Sequence, residues 1–235
     1  MDYTNTRRTD GQLKVQKLVV GTCTDSDEFT FTLTPLPEGA TVQIGSGTPQ
    51  ALTAAGFKLK KDQIATIGGL TQGVTYTVTE TDSGANFTLT ARAGGTNVDP
   101  DGISSVPDGR TLIFTNTRKT GQITVTKSVE GTVGTETFTF TIDPRPADAR
   151  ISINGAASTA LGATFTLQHG QYATISGLEQ GITYTVTETS SGANFTLTAR
   201  SGGTNSGTNA ITSLVGGELS LLPFYCTSTV FKQKQ

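Results

Sequence analysis

One stretch of this chain occurs almost twice over. Thr75–Asn97 reads TYTVTETDSGANFTLTARAGGTN and Thr183–Asn205 reads TYTVTETSSGANFTLTARSGGTN, matching at 21 of 23 positions, 108 residues apart. Upstream, Gly11-Gln-Leu-Lys-Val-Gln-Lys17 matches Gly121-Gln-Ile-Thr-Val-Thr-Lys127 at an offset of 110, and Phe29-Thr-Phe-Thr-Leu33 matches Phe138-Thr-Phe-Thr-Ile142 at 109. The drift places small insertions in loops. A unit of roughly 110 residues can bury a core of its own, so the 235 residues read as two sequential domains, 11–118 and 119–235. Tyr3-Thr-Asn-Thr-Arg7 resembles Phe114-Thr-Asn-Thr-Arg118, the last strand of the first repeat. Residues 1–10 are therefore expected to be the tail of a preceding repeat, and the chain an excerpt of a longer array. No Lys/Arg-led apolar segment follows Met1, so no signal peptide is visible.

Within each repeat the hydrophobic signal has period two, which predicts strands. Leu13, Val15, Lys17 and Val19 alternate with polar neighbours and Leu18. Phe29, Phe31 and Leu33 alternate with threonines, and so do Val74, Tyr76, Val78 and Glu80. Phe87 and Leu89 follow the same rule, and Leu112, Phe114 and Asn116 alternate with Thr111, Ile113 and Thr115. Clusters of Gly, Asp, Pro and Ser separate the runs, as turns require. Threonine, 46 residues of the 235, is β-branched and suits the solvated face of a strand. The fold class expected is all-β: two tandem sandwiches of six or seven strands each. With 15% charged residues, a net charge of −2 and no Lys/Arg cluster, the chain is a poor nucleic-acid binder, and no apolar run reaches the length of a membrane helix.

Against this alternation three residues stand on the wrong side. Lys17, Glu80 and Asn116 each occupy the apolar phase of their strand, and side chains two apart share a face. Burying an amine, a carboxyl and an amide costs several kcal/mol unless they satisfy one another. Removal from water favours the uncharged form of an amine and of a carboxyl alike. A neutral Lys17 could attack the side-chain carbonyl of Asn116, with Glu80 polarising that carbonyl and passing protons to the leaving ammonia. The product would be a Lys–Asn isopeptide bond between first and last strands. The alternatives at this point are an ordinary buried ion pair with an Asn partner, or strand ends that fray into solvent.

The three motifs that carry these residues, Val15-x-Lys17, Tyr76-x-Val-x-Glu80 and Phe114-x-Asn-Thr117, together resemble the B-type repeat of collagen adhesins (Cna-B type). Similar domains occur in sortase-assembled pilins of Gram-positive bacteria. The resemblance covers essentially the whole chain, twice. It implies a prealbumin-like β-sandwich, surface display on a cell wall, and an autocatalytic cross-link joining Lys17 to Asn116 with Glu80 as catalytic acid. In the second repeat Lys127 and Glu188 match the amine and the acid. The closing strand reads Phe224-Tyr-Cys-Thr-Ser-Thr229; pairing Cys226–Thr229 with Phe114–Thr117 puts Ser228 where Asn116 stands. A hydroxyl offers no carbonyl, so the second domain is expected to lack the bond and to keep Lys127 and Glu188 as a plain ion pair.

Other signals are weaker. Asn97-Val-Asp-Pro-Asp-Gly102 with Asp108 loosely copies a calcium-loop spacing, but Pro100 interrupts it and the second repeat has no carboxylates there, so it reads as a polar hairpin loop. Asp25-Ser-Asp-Glu28 reads as a solvated turn. His169 is the only histidine, which removes His-based zinc sites and Ser-His-Asp triads within the chain; it is expected in an exposed turn. Cys23 and Cys226 fall in different repeats at non-equivalent positions on this alignment, which argues against an intradomain disulfide. No metal or cofactor is implied. The expected function is a stalk or spacer repeat of a bacterial surface adhesin or pilin-like protein, with neighbouring repeats as partners. A module that binds host matrix protein or glycan directly is the alternative, disfavoured for glycans by the absence of Trp and the scarcity of free Tyr. A turnover enzyme is not expected, because the self-reaction happens once per domain.

Overall fold

The computed structural model describes residues 3–190, 194–207, 209–215 and 220–228. The chain divides into two compact units, Met1–Lys119 and Thr120–Gln235. Among the described residues there is no helix. Residues 3–10 lead into the first strand without forming one themselves.

The first unit has eleven strands: β1 (Gly11–Val20), β2 (Phe29–Thr34), β3 (Thr41–Ile44), β4 (Gln50–Ala51), β5 (Phe57–Leu59), β6 (Ile64–Leu70), β7 (Tyr76–Asp82), β8 (Phe87–Ala93), β9 (Thr96–Val98), β10 (Gly102–Ser105) and β11 (Asp108–Arg118). They form two sheets, ordered β4-β3-β6-β1-β11-β8 and β5-β2-β7-β10-β9. The first sheet contributes Leu13, Val15, Ile67, Leu112 and Phe114 to one core, and the second contributes Phe29, Phe31, Tyr76, Val78 and Ile103. The unit is thus a β-sandwich, with apolar side chains of the two inner faces packed together. Phe31 anchors it, stacking on Phe57 at 5.6 Å and meeting Phe114 edge-on at 5.1 Å between centroids.

The second unit repeats the design in β12 (Thr120–Glu130), β13 (Phe138–Asp143), β14 (Arg150–Ile153), β15 (Thr159–Ala160), β16 (Phe165–Leu167), β17 (Tyr172–Glu179), β18 (Thr183–Ser190), β19 (Phe195–Arg200), β20 (Thr204–Asn205), β21 (Ala210–Leu214) and β22 (Ser220–Ser228). Its sheets run β15-β14-β17-β12-β22-β19 and β16-β13-β18-β21-β20, and Phe140 repeats both ring contacts of Phe31, with Phe165 and Phe224.

The strand count exceeds the expected six or seven. Three of the extra strands in the first unit, β4, β5 and β9, have only two or three residues and carry too little alternation to be read. β6 is hidden for another reason. Its inward residues Ala65, Ile67 and Leu70 lose period two at Gly68-Gly69, where Gly69 adopts φ +75° and the pairing with β1 slips between Gly11 and Leu13. An extra residue at such a bulge shifts the following side chain to the other face. The Gly94 corner between β8 and β9 is another special position: at φ +94° a Cβ there would lie 2.0 Å from the Thr111 carbonyl oxygen, so only glycine fits.

The first and last strands of each unit are neighbours and run parallel. In the first unit Lys17 stands opposite Phe114 and Val19 opposite Asn116. In the second, Lys127 stands opposite Phe224 and Val129 opposite Cys226. This corrects the expected alignment of the closing strand. Leu222 and Phe224, both fully buried, take the inward places of Leu112 and Phe114, so the position matching Asn116 is 226 and the position matching Arg118 is 228. Parallel pairing with the first strand requires the last strand to keep the first strand's offset of 110, and an alignment of Ser228 with Asn116 needs 112.

In both units a buried tyrosine ties a turn to the core. Tyr76 Oη accepts from the Thr71 backbone N–H at 3.0 Å, and Tyr184 Oη from that of Glu179 at 2.9 Å. Tyr76→Phe is expected to cost about 1–2 kcal/mol by leaving that N–H without its acceptor, read as a lower denaturation midpoint for the first domain at unchanged slope.

Candidate functional site

Lys17, Glu80 and Asn116 meet inside the first sandwich. They come from β1, β7 and β11, so the site spans both sheets. The strand phase that placed them inward is realised: relative exposure is 0% for Lys17, 3% for Glu80 and 0% for Asn116. Glu80 lies between the other two. Its Oε2 accepts from Lys17 Nζ at 2.9 Å and its Oε1 from Asn116 Nδ2 at 2.5 Å. Asn116 Nδ2 also points at the Ser83 carbonyl oxygen, 3.5 Å away, and Asn116 Oδ1 has no hydrogen-bond partner among the described residues.

The walls are apolar. Lys17 Nζ sits 4.4 Å from the centroid of the Phe29 ring, whose edge-to-face partner is Phe87 at 5.4 Å. An aromatic face attracts a cation but cannot replace water as a hydrogen-bonding solvent. Burial is accordingly the dominant influence on Lys17 and lowers its pKa from the usual 10.5 to about 8, against the opposing attraction of Glu80. The neutral amine is thus more accessible than that of a lysine in water, although the protonated form still predominates at neutral pH.

Arg118, two residues beyond Asn116, also turns inward and is 6% exposed. It donates to the Thr22 carbonyl oxygen at 2.7 Å, lies 3.8 Å from Asp27, and places its guanidinium 5.1 Å from the Phe87 centroid. It therefore packs on the ring that backs Phe29. The parity argument that selected Asn116 applies equally to Arg118, so the residue was within reach of the sequence. Asp27, read there as part of a solvated turn, in fact faces this arginine. Cys23 is half-buried nearby, and burial, followed by the Asp27 charge, raises its thiol pKa.

The second unit holds the amine and the acid in the same relation. Lys127 Nζ donates to Glu188 Oε2 at 2.9 Å, both residues have 0% exposure, and the amine is 4.2 Å from the Phe138 centroid. Glu188 Oε1, the counterpart of the oxygen that meets Asn116, has no partner among the described residues. The side chain at position 228, where the sequence placed the missing acceptor, lies outside the described residues.

The remaining sequence signals do not converge on a site. Asp99 is fully exposed and 3.9 Å from Arg92, while Asp108 is held well below the usual carboxylate range, to about 2, by hydrogen bonds from Arg110. The residues of the calcium-like spacing thus have different partners, and among the described residues no group of three or more His, Cys, Asp or Glu could hold a metal ion. His169 is exposed, as read, but its Nδ1 accepts from the Val129 backbone N–H at 2.9 Å.

A family model described as a domain of unknown function (DUF7601) matches residues 11–118 and again residues 121–216. The chain belongs to this family, with two copies of its domain. No curated protein matches the chain. Among solved structures it is similar to the major pilin from Streptococcus pyogenes, at 18% identity over 93% of this chain and 99% of that one, with a TM-score of 0.47. It is similar to the T-13 major pilin of Streptococcus pyogenes serotype GAS131465, at 19% identity over 96% and 99%, TM-score 0.44. The Bacillus anthracis TIE protein matches at 17% identity over 94% of this chain and 34% of that one, TM-score 0.46.

The second unit tests the buried pair without an amide at hand. Glu188→Ala leaves the Lys127 amine buried and unpaired, and is expected to destabilise that domain by about 3–5 kcal/mol. Replacing both partners, Lys127→Met with Glu188→Leu, should recover most of the loss. Equilibrium unfolding of the three proteins in denaturant checks the order.

Proposed function

We propose that the chain is a structural stalk or spacer segment of a bacterial surface protein, locked in its first domain by an isopeptide bond between Lys17 and Asn116 that the domain makes itself. The observation that carries this reading is the position of Glu80, whose two oxygens contact the amine and the amide nitrogen inside a dry core. Transfer of one proton within the Lys17–Glu80 contact gives a neutral amine and a neutral acid with no net charge left in the core. Nζ of Lys17 attacks Cγ of Asn116, the Nζ–Cγ bond forms and the Cγ–Nδ2 bond breaks. The amine loses one proton and the departing nitrogen gains one, so the products are a secondary amide and one ammonia. Glu80 carries the proton, taking it on the Lys17 side and delivering it on the Asn116 side. No other reactant is required, and the first domain reacts once on itself, which is self-modification and not turnover.

The site also fits a mechanical role. Asn116 lies 99 residues after Lys17, so the bond closes nearly the whole domain into one loop. In the chain-entropy account, a tie of that span contributes about 4–5 kcal/mol by restricting the unfolded chain. Because it joins the first strand to the last, tension applied along the polypeptide passes through a covalent link and spares the ladder of sheet hydrogen bonds. A module of this kind holds something else away from a cell surface and needs no ligand pocket of its own. The alternative, direct adhesion to host matrix protein or glycan, has no comparable site among the described residues to support it.

Intact-mass measurement of the folded protein decides the chemistry. The expected mass is one ammonia below the sequence mass, with the deficit mapped by peptide analysis to Lys17 and Asn116. Glu80→Ala should restore the full mass. A wild-type mass equal to the sequence mass would remove the bond, and a deficit persisting in Glu80→Ala would remove Glu80 from the mechanism. The amine can be tested separately in Asn116→Ala, which has no acceptor. Lys17 there binds its proton less tightly when folded, so stability should rise with pH from about 8 toward 10.5. Unfolding midpoints across that range, flattened by adding Lys17→Met, check the sign.

A further inference from the structure

We infer that position 226 is the acceptor position of a second cross-linking site, complete in its amine and its acid, and that the residue at this one position decides whether the second domain becomes covalently locked. The inference rests on the isopeptide reading of the first domain and extends it to residues that the sequence had aligned differently.

Two independent registers, and a bulge shared by the second, place 226 where Asn116 stands. Along the first strand, Val129 pairs with Cys226 as Val19 pairs with Asn116. Along the neighbouring strand, Leu197 pairs with Cys226 as Leu89 pairs with Asn116. The β8–β11 and β19–β22 ladders then slip at the same place: Ala199 faces Tyr225 and Ala91 faces Thr115, leaving Thr198 and Thr90 as the extra residues of matching bulges. A bulge fixes both register and local twist, so the backbone is delivered to position 226 in the way it is delivered to position 116.

What surrounds the position is also repeated. The Lys127–Glu188 contact equals that of Lys17 and Glu80, 2.9 Å in each case, and all four residues are buried. Phe138 lies under the amine as Phe29 does. The Phe224 ring packs on Phe140 as Phe114 packs on Phe31. The difference left at the site is chemical. Glu188 Oε1 has no partner among the described residues, whereas Glu80 Oε1 receives the amide of Asn116. A cysteine has no carbonyl carbon for an amine to attack, so with Cys226 the amine and acid stay an ion pair. Supplying an amide completes the reacting set: the Lys127 Nζ bonds to the new side-chain carbonyl carbon, and one ammonia leaves with the proton given up by the amine.

The test is Cys226→Asn in the full chain. Its mass is expected to fall by a second ammonia, mapped to Lys127 and position 226, and Glu188→Ala in the same background should abolish that second loss while leaving the first. Cys226→Asp provides an independent readout, since a carboxyl acceptor releases water instead of ammonia. Folding is followed by near-ultraviolet circular dichroism. A folded variant that shows only the wild-type deficit overturns this inference and leaves the Lys17–Asn116 bond standing. Failure of both variants to fold overturns it as well, because the inference holds that the slot accepts an amide as position 116 does. A wild-type chain with no deficit, joined by a variant that loses one ammonia at Lys127, would support position 226 and remove the bond proposed for the first domain.

Discussion

Neither Lys17 nor Glu80 could be buried alone. An isolated ammonium or carboxylate in an apolar interior costs several kcal/mol after all relaxation, a large fraction of the 5–15 kcal/mol that typically holds a domain together. The contact between them makes the interior position tolerable, and everything around it serves that contact. β1 brings the amine from one sheet, β7 brings the acid from the other, and the phenylalanines keep water away from both. The pair is thus a strut between the two layers of the sandwich. The same strut stands in the second unit between Lys127 and Glu188. Its presence there, where no amide completes the set in the sequence, shows that the pair is compatible with the fold as a non-covalent element.

The sequence made much of this legible because threonine alternates so regularly with Val, Ile, Leu, Phe and Tyr. On that background an inward Lys, Glu and Asn are conspicuous, and parity alone assigned their faces. Parity says nothing of distance. That Glu80 separates the amine from the amide, with one oxygen for each, depends on how the two sheets are stacked. Arg118 shares the phase of Asn116, so parity turns it inward too, but its partners Thr22 and Asp27 lie in the irregular segment between β1 and β2, where there is no alternation to read. β6 was hidden by its glycine pair, and the short strands by their length.

The last strand of the second unit illustrates a different limit. Local likeness suggested pairing Cys226–Thr229 with Phe114–Thr117, since Thr, Ser and Thr imitate Thr, Asn and Thr. The pairing that holds is set by a distant partner, β12, against which β22 runs in parallel. A strand's register belongs to the ladder it joins, and a one-strand comparison cannot supply it. The burial of Leu222 and Phe224 was the local clue, because an inward Leu-x-Phe precedes Asn116 by the same two and four residues.

The place of β11 in its sheet has one more consequence. β8 touches that sheet only through β11, so the sheet has a gap one strand wide until the final segment of the domain arrives. A chain made from its amino end exposes Lys17 first, Glu80 next and Asn116 last. The acceptor reaches the amine and the acid only on the strand that closes the gap. On the proposed chemistry an incomplete domain has nothing to react with, and a cross-link would mark a finished sandwich.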